Sequence, residues 1–337
     1  MELRRQADLR PLNSFGVPAR ARLLARVERL DDLRRCLALT AFRELPRLVL
    51  GSGSNILFRG DFEGLVLHVS LRGMGVLDQD DEAIYVRAAA GESWHELVRW
   101  TLGLDAGGLE NLSLIPGTVG AAPIQNIGAY GVELSDHLHA VEAVDLGSGE
   151  MHRLRPSDCH LEYRSSAFKS GALANYLVTA VELRLPRHAA PVLSYPGVRA
   201  ALGSHGDSPS PRQVSDAICA LRRSKLPDPA VQGNAGSFFH NPIVRRNTLE
   251  GLWADWPELP AYPLTGDRYK VAAAWLIERC GWKGRRQGDA GVSAGHALVL
   301  VNHGAATGAE IWALAQAIQD SVATRFGLIL RPEPLIL

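Results

Sequence analysis

Two stretches of this 337-residue chain are composed to bring backbone close to a ligand. The first, Leu48-Val-Leu-Gly-Ser-Gly-Ser-Asn55, runs from an apolar strand into a Gly/Ser/Asn turn. The second covers residues 112–131, where Gly117, Gly120, Gly128 and Gly131 alternate with small residues, and Pro116 and Pro123 stiffen the path. Glycine has no Cβ, so its N–H groups can meet an anion such as a phosphate at close range. A pair of tight turns between strands would have the same composition. Neither stretch is a familiar nucleotide motif. The third glycine of G-x-G-x-x-G would fall on Ile56, and no Lys with Ser/Thr completes a P-loop. Two such cradles suggest a pyrophosphate held between loops rather than on one helix end.

Three side chains beside these loops could act on a bound molecule. Arg164, in Tyr163-Arg-Ser-Ser-Ala-Phe-Lys169, offers a planar guanidinium able to hold a carboxylate by two hydrogen bonds. A surface arginine flanking a turn would look alike. Glu333 lies between Pro332 and Pro334 in an otherwise apolar tail, surroundings that can raise a carboxyl pKa and make it a hydrogen-bond donor. It also reads as a solvent-facing strand residue, with Arg331 on the same face as a possible salt-bridge partner. Ser237, in Gly233-Asn-Ala-Gly-Ser-Phe-Phe-His-Asn-Pro242, sets a hydroxyl between a glycine and two aromatics that would anchor in a core. A turn serine or a helix N-cap is the alternative. No His or Asp stands near it in triad order, so an acyl-transfer nucleophile is not indicated.

The elements that position these residues follow from pattern. Ala21 to Val27 alternates as a strand, Leu30 to Leu39 has helical spacing, and the pair delivers strand 48–50 into the first loop. Leu65–Val69 and Ala83–Ala88 read as strands, and Ser93-Trp-His-Glu96 caps a helix ending near Gly103 that leads into the second loop. Ala140–Leu146 and Glu150–Leu154 form a hairpin around Gly147-Ser-Gly149, and Tyr176–Leu185 alternates as a strand. Residues 186–212 look like a loop, after which Ser210-Pro211 with Gln213 caps a helix to about Arg223. The spacing predicts a helix over Lys270–Cys280 stopped by Gly281, a buried strand at Ala297–Asn302, and a long helix from Thr307-Gly-Ala-Glu310 to Gly327.

Composition narrows the class. At 46% hydrophobic the chain can bury a large core and divide into two or three domains. Lys and Arg number 36 against 36 Asp and Glu, which favours neither nucleic acid nor an anionic membrane as a partner. Cys36, Cys159, Cys219 and Cys280 are far apart, with no metal-ligand spacing and no disulfide framework. The N-terminus has no apolar signal-peptide core and no run approaches the ~20 apolar residues of a membrane span, so a cytoplasmic protein is expected.

The two loops, Tyr163–Lys169, Gly233–Pro242 and Arg331-Pro-Glu333 occur in the order found in the UDP-N-acetylenolpyruvoylglucosamine reductase family, which the chain resembles from about Asn13 to its end. Val192-Leu-Ser-Tyr195 matches the Tyr-bearing insertion of the family's longer type. The resemblance implies an α+β fold, a vanillyl-alcohol-oxidase/PCMH-type FAD-binding fold plus a C-terminal α+β substrate-binding domain. Residues 1–70 would form a first FAD-binding subdomain together with the C-terminal strand 328–337, residues 71–224 a second, and residues 225–327 the substrate-binding domain. The implied reaction is NADPH-dependent reduction of UDP-N-acetylglucosamine enolpyruvate through non-covalent FAD, by a monomer, with donor and acceptor using one cleft in turn.

By the same resemblance Gly51, Ser52, Gly53, Ser54 and Asn55 take the flavin pyrophosphate on one side. Gly117, Thr118, Gly120, Ala121, Asn126, Gly128 and Ala129 take it on the other. Arg164 polarises the substrate carboxylate, Ser237 donates a proton and Glu333 stabilises the enolate. Tyr195, Lys225, Asn241 and Tyr262 match positions that contact the UDP-sugar, with Lys283 and His296 as further candidates. Two rivals remain at this stage. One is another oxidoreductase of the same flavin fold acting on a sugar or lactone; the other is a nucleotide-sugar-binding module without chemistry.

Overall fold

The computed structural model describes residues 1–188, 190–195, 197–203 and 208–337. The chain divides into two compact units. One contains Met1–Ala7, Ala21–Ser52 and Glu63–Arg223; the other contains Asp8–Arg20, Gly53–Phe62 and Ser224–Leu337.

The first unit carries two sheets. In a four-stranded sheet the order is Glu2–Asp8, Arg20–Val27, Phe62–Val69 and Arg47–Leu50, the last two parallel. The expected strand, helix and strand are present as Arg20–Val27, Leu30–Leu37 and Arg47–Leu50, but Phe62–Val69 lies between the two strands in the sheet. The second sheet is antiparallel: Met151–Leu154, Leu138–Asp145, Tyr176–Pro186, Ala83–Ala89 and Met74–Gln79. The hairpin predicted around Gly147-Ser-Gly149 supplies two of these strands. Their inward residues form one core with Trp94, Leu97 and Val98 of the helix Trp94–Leu102, whose N-cap Ser93 accepts from Glu96 N. At Pro211–Lys225 the expected cap is reciprocal, Ser210 N donating to Gln213 Oε1 and Gln213 N to Ser210 Oγ. The stretch read as a loop, 186–212, includes a short helix at Val198–Leu202; its residues 189, 196 and 204–207 lie outside the described residues.

The second unit holds the antiparallel sheet Asn234–Ser237, Val299–Asn302, Ala290–Val292 and Arg286–Gln287, and a three-stranded sheet of Ile243–Arg245, Arg268–Val271 and Ala261–Pro263. Ile56–Leu57 pairs in parallel with Leu335–Ile336. The long helix is Gly308–Phe326, with a full capping box from Thr307 and Glu310 and Gly327 left-handed beyond its end. One expectation fails here. Lys270 and Val271 belong to the strand Arg268–Val271, and the helix begins only at Ala273, running to Arg279. Lys270 pairs across to Ile243 and Tyr262, and that ladder outweighs the helical spacing of the apolar residues that follow. Among the described residues no helix is long and apolar enough to cross a membrane.

Candidate active site

In the first unit the segment from Leu112 onward is fixed by its neighbours before it meets anything else. Trp94, fully buried, donates its backbone N–H to Gly117 O at 3.0 Å and its indole Nε1 to Leu112 O at 3.0 Å. Between them Leu114 takes a left-handed φ of +58°, costly for a leucine and held from both sides. Its N–H donates to His95 Nδ1 at 3.0 Å, and its carbonyl accepts from Arg222 Nε at 3.2 Å. Burial, aided by Arg99, Arg223 and Arg222, pushes the His95 pKa down, which suits a neutral ring accepting at Nδ1.

The same loop reaches the first glycine stretch. A Cβ on Gly51 would stand 2.4 Å from Thr118 Oγ1, so residue 51 must be bare for the two to lie side by side. Neither 51–55 nor 117–129 contains a carboxylate, so these segments suit an anion rather than a cation. That composition and the Gly51–Thr118 approach fit a pyrophosphate-bearing flavin. Gly120 N donates to Ala90 O, and a side chain there would strike Ala90 Cβ at 2.5 Å; its bareness serves packing. Ala121 closes the short helical turn Val119–Ala121.

Asn126, fully buried at φ +45°, spends its side chain on the loop. Its amide donates to Glu133 Oε2 at 2.8 Å, and its Oδ1 accepts from Ser135 N at 3.0 Å. Gly128–Ala129 pairs with Val132–Glu133 through a two-residue turn, Tyr130 at φ +50° and Gly131 at φ +87°. Positive φ at both turn positions is the geometry that a tight hairpin demands. Arg164 is seated on this structure, Nη2 donating to Gly128 O at 2.6 Å and Nη1 to Asn126 O at 3.3 Å, with its guanidinium 5.2 Å from the Tyr163 ring. Thus the residue expected to hold a carboxylate is oriented by the carbonyls of two residues expected at the flavin. Tyr195, 46% exposed, meets Tyr130 edge to face at 5.0 Å.

In the second unit Ser237 ends the strand Asn234–Ser237 opposite Val299. The chain then runs beside the C-terminal segment: Phe239 bridges Pro332, Glu333 N donates to Phe238 O at 2.9 Å, and His240 N donates to Arg331 O. Phe238 and Phe239 are buried and stack edge to face at 5.1 Å, as the reading of anchoring aromatics expects. Ser237 and Glu333 are therefore held by adjoining, hydrogen-bonded backbones. Glu333 is largely covered, with His240 Nδ1 at 3.8 Å from its Oε2, and Asn55 Nδ2 donates to its carbonyl at 3.4 Å.

Lys225, Lys283 and His296 share one electrostatic neighbourhood. The His296 pKa is lowered by burial first, then by Lys225 and Lys283. Lys283 Nζ lies 3.0 Å from Glu278 Oε1, and His296 Nδ1 accepts from Leu298 N at 3.2 Å. Asn241 Oδ1 accepts from Ala273 N and so starts the helix Ala273–Arg279. Tyr262, half exposed, has Lys270 Nζ 6.0 Å from its ring centre. Asn111, His95 and Arg222 were not singled out from the sequence. Only Arg222 leaves a trace there, as a charge at i+4 from Ile218 and i+8 from Val214 on the apolar helix face.

Comparison with known proteins accords with these features. A family model described as UDP-N-acetylenolpyruvoylglucosamine reductase, C-terminal domain, matches residues 228–337, and one described as FAD binding domain matches residues 21–155. A Paraburkholderia phymatum protein named UDP-N-acetylenolpyruvoylglucosamine reductase is 51% identical over 332 residues, covering 98% of this chain and 96% of that protein. One of the same name from Pseudomonas aeruginosa is 49% identical over 335 residues, 99% and 98% of the two chains. The crystal structure of UDP-N-acetylenolpyruvylglucosamine reductase from Thermus caldophilus aligns with a TM-score of 0.67 at 23% identity, over 99% of this chain and 98% of that one, a likeness of fold.

Proposed function

The chain belongs to the UDP-N-acetylenolpyruvoylglucosamine reductase family, and on that premise we propose that it reduces UDP-N-acetylglucosamine enolpyruvate to UDP-N-acetylmuramate for peptidoglycan precursor synthesis, with NADPH as electron donor. It is an FAD-dependent oxidoreductase of α+β fold. When bound, FAD supplies the hydride.

Hydride addition to the terminal CH2 of an enolpyruvyl ether places negative charge on a group already anionic, so the protein must stabilise charge and then deliver a proton to the neighbouring carbon. Arg164, steadied by the Asn126 and Gly128 carbonyls, holds the substrate carboxylate. Glu333, shielded from solvent, stabilises the enolate, and Ser237 gives up its hydroxyl proton to carbon. Lys225 and Lys283 supply positive charge for the UDP phosphates beside a neutral His296, with Tyr195, Asn241 and Tyr262 on the sugar nucleotide. Gly51 to Asn55 and Gly117 to Ala129 bind the flavin without a covalent link. The working division is residues 1–70 with 328–337, residues 71–224, and residues 225–327, in a cytoplasmic monomer.

The observation that most supports this reading is the pairing of the Ser237 strand end with the Glu333 segment, which seats a hydroxyl and a shielded carboxyl on adjoining backbones. An anaerobic absorption experiment tests it. NADPH should bleach the flavin bands, and the enolpyruvyl sugar should restore them. Bleaching without recovery would send the substrate assignment to another sugar or lactone, and a protein that cannot be loaded with FAD would sink the reading.

A further inference from the structure

Asn111 is fully buried and lies just ahead of the second glycine stretch. Its amide makes two long-range bonds, Nδ2 donating to Tyr130 O at 2.8 Å and to Val192 O at 2.9 Å. Both partners are carbonyls, so a carboxylate or a reversed amide could make neither bond. Oδ1 is buried and has no hydrogen-bond partner among the described residues. A buried orphan acceptor is costly, so the amide is justified by its two donors.

What they join is specific. Val192 opens the insertion that carries Tyr195, and Tyr130 is the first turn residue of the hairpin on which Arg164 rests. The two segments touch in other ways. The Tyr130 and Tyr195 rings meet at 5.0 Å and 73°, and a Cβ on Gly131 would lie 3.3 Å from Val192 Cγ1. Tyr130 and Leu193 also pack on one small cluster of Val198, Leu202, Val214, Ala217 and Ile218. Rings that meet edge to face can slide; a buried amide bonded to both backbones cannot.

We propose that Asn111 is a positioning residue for the nucleotide-sugar substrate, its amide fixing the insertion at Val192 to the hairpin at Tyr130 and thereby setting where the Tyr195 phenol stands. The inference rests on Tyr195 being a substrate contact. The amide is spent on the Tyr130 and Val192 carbonyls, and it lowers the ordering that binding would otherwise require of the loop.

A double-mutant cycle on the flavin-loaded enzyme tests this, comparing the parent, Asn111→Ala, Tyr195→Ala and the double variant. The readouts are UDP affinity by calorimetry, KM for the enolpyruvyl sugar, and the rate of flavin reduction by NADPH. Each single substitution should weaken UDP binding by about tenfold, raising KM more than it lowers kcat, and should slow flavin reduction by NADPH less than it raises KM. The double variant should be no worse than Tyr195→Ala, because the amide acts only through that loop. Losses that multiply, or an Asn111→Ala enzyme that binds UDP normally while Tyr195→Ala does not, would overturn the role of Asn111. Unchanged affinity in Tyr195→Ala would instead remove Tyr195 from the substrate site. Should Asn111→Ala not fold, Asn111→Ser, which keeps one donor, enters the same cycle under the same criterion.

Discussion

A serine hydroxyl is a weak acid, so a proton donor of this kind is made by placement. Ser237 is followed by two buried phenylalanines that stop the backbone from shifting, and the next residues are hydrogen-bonded to the segment bearing Glu333. Ser237→Ala should therefore fold, bind FAD and be reduced by NADPH at the parent rate, while reoxidation by the enolpyruvyl sugar slows by roughly 10²- to 10⁴-fold. Stopped-flow absorbance separates the two half-reactions, and normal reoxidation would remove Ser237 from the chemistry. Residues of this sort are legible in a sequence because they lie in short, peculiar strings such as Gly-Asn-Ala-Gly-Ser-Phe-Phe. Asn111, His95 and Arg222 are not, since each acts on the backbone of a remote residue. Asn111 reaches Val192, and Arg222 reaches Leu114. Main-chain partners leave no imprint on residue type at the far end.

At the level of elements, legibility depended on length and on punctuation. The helix Gly308–Phe326 is announced by Thr307 and Glu310 and closed by Gly327, and the structure places both caps where the spacing put them. Short elements of the second unit, such as Arg286–Gln287 and Ala261–Pro263, carry too few residues to show a period. Glu2–Asp8 is exposed at every position except Ala7, so its sequence does not look like a strand. Two neighbouring substitutions separate capping from contact. Thr307→Ala should cost about 1 kcal/mol, by loss of the side chain that accepts from Glu310 N. Gly308→Ala, which in an ordinary helix would gain up to ~1 kcal/mol, should be the worse of the two. Its Cβ would overlap the carbonyl oxygen of Phe58, and backbone cannot step aside as a side chain can. Denaturant midpoints of the two variants measure both effects, and a stabilised Gly308→Ala would contradict the close approach.

At the scale of the whole molecule, His68, His95, His137 and His296 are described residues whose pKa values are lowered chiefly by burial. Each is harder to protonate folded than unfolded, so below the unfolded value of about 6.5 the unfolded chain takes up protons that the folded chain refuses. The stability that comes from keeping these rings neutral is complete above that pH and is lost as pH falls through their lower folded values. The denaturant midpoint should drop as pH falls below about 6.5, and His137→Gln should make the drop shallower; an identical slope in that variant would exclude His137 as a source. The division into units also bears on how the protein is made. Residues 8–20 and 53–62 belong to the unit that is otherwise Ser224–Leu337, and Ile56–Leu57 pairs in parallel with Leu335–Ile336. A ribosome adding roughly 5–20 residues per second emits those early segments tens of seconds before the last partner appears. Until then Phe15, Ile56, Leu57 and Phe58, all buried at the end, have no home in their own unit. The nascent chain must therefore carry these apolar residues without their native partners through most of translation, so the order of synthesis runs against the order of assembly.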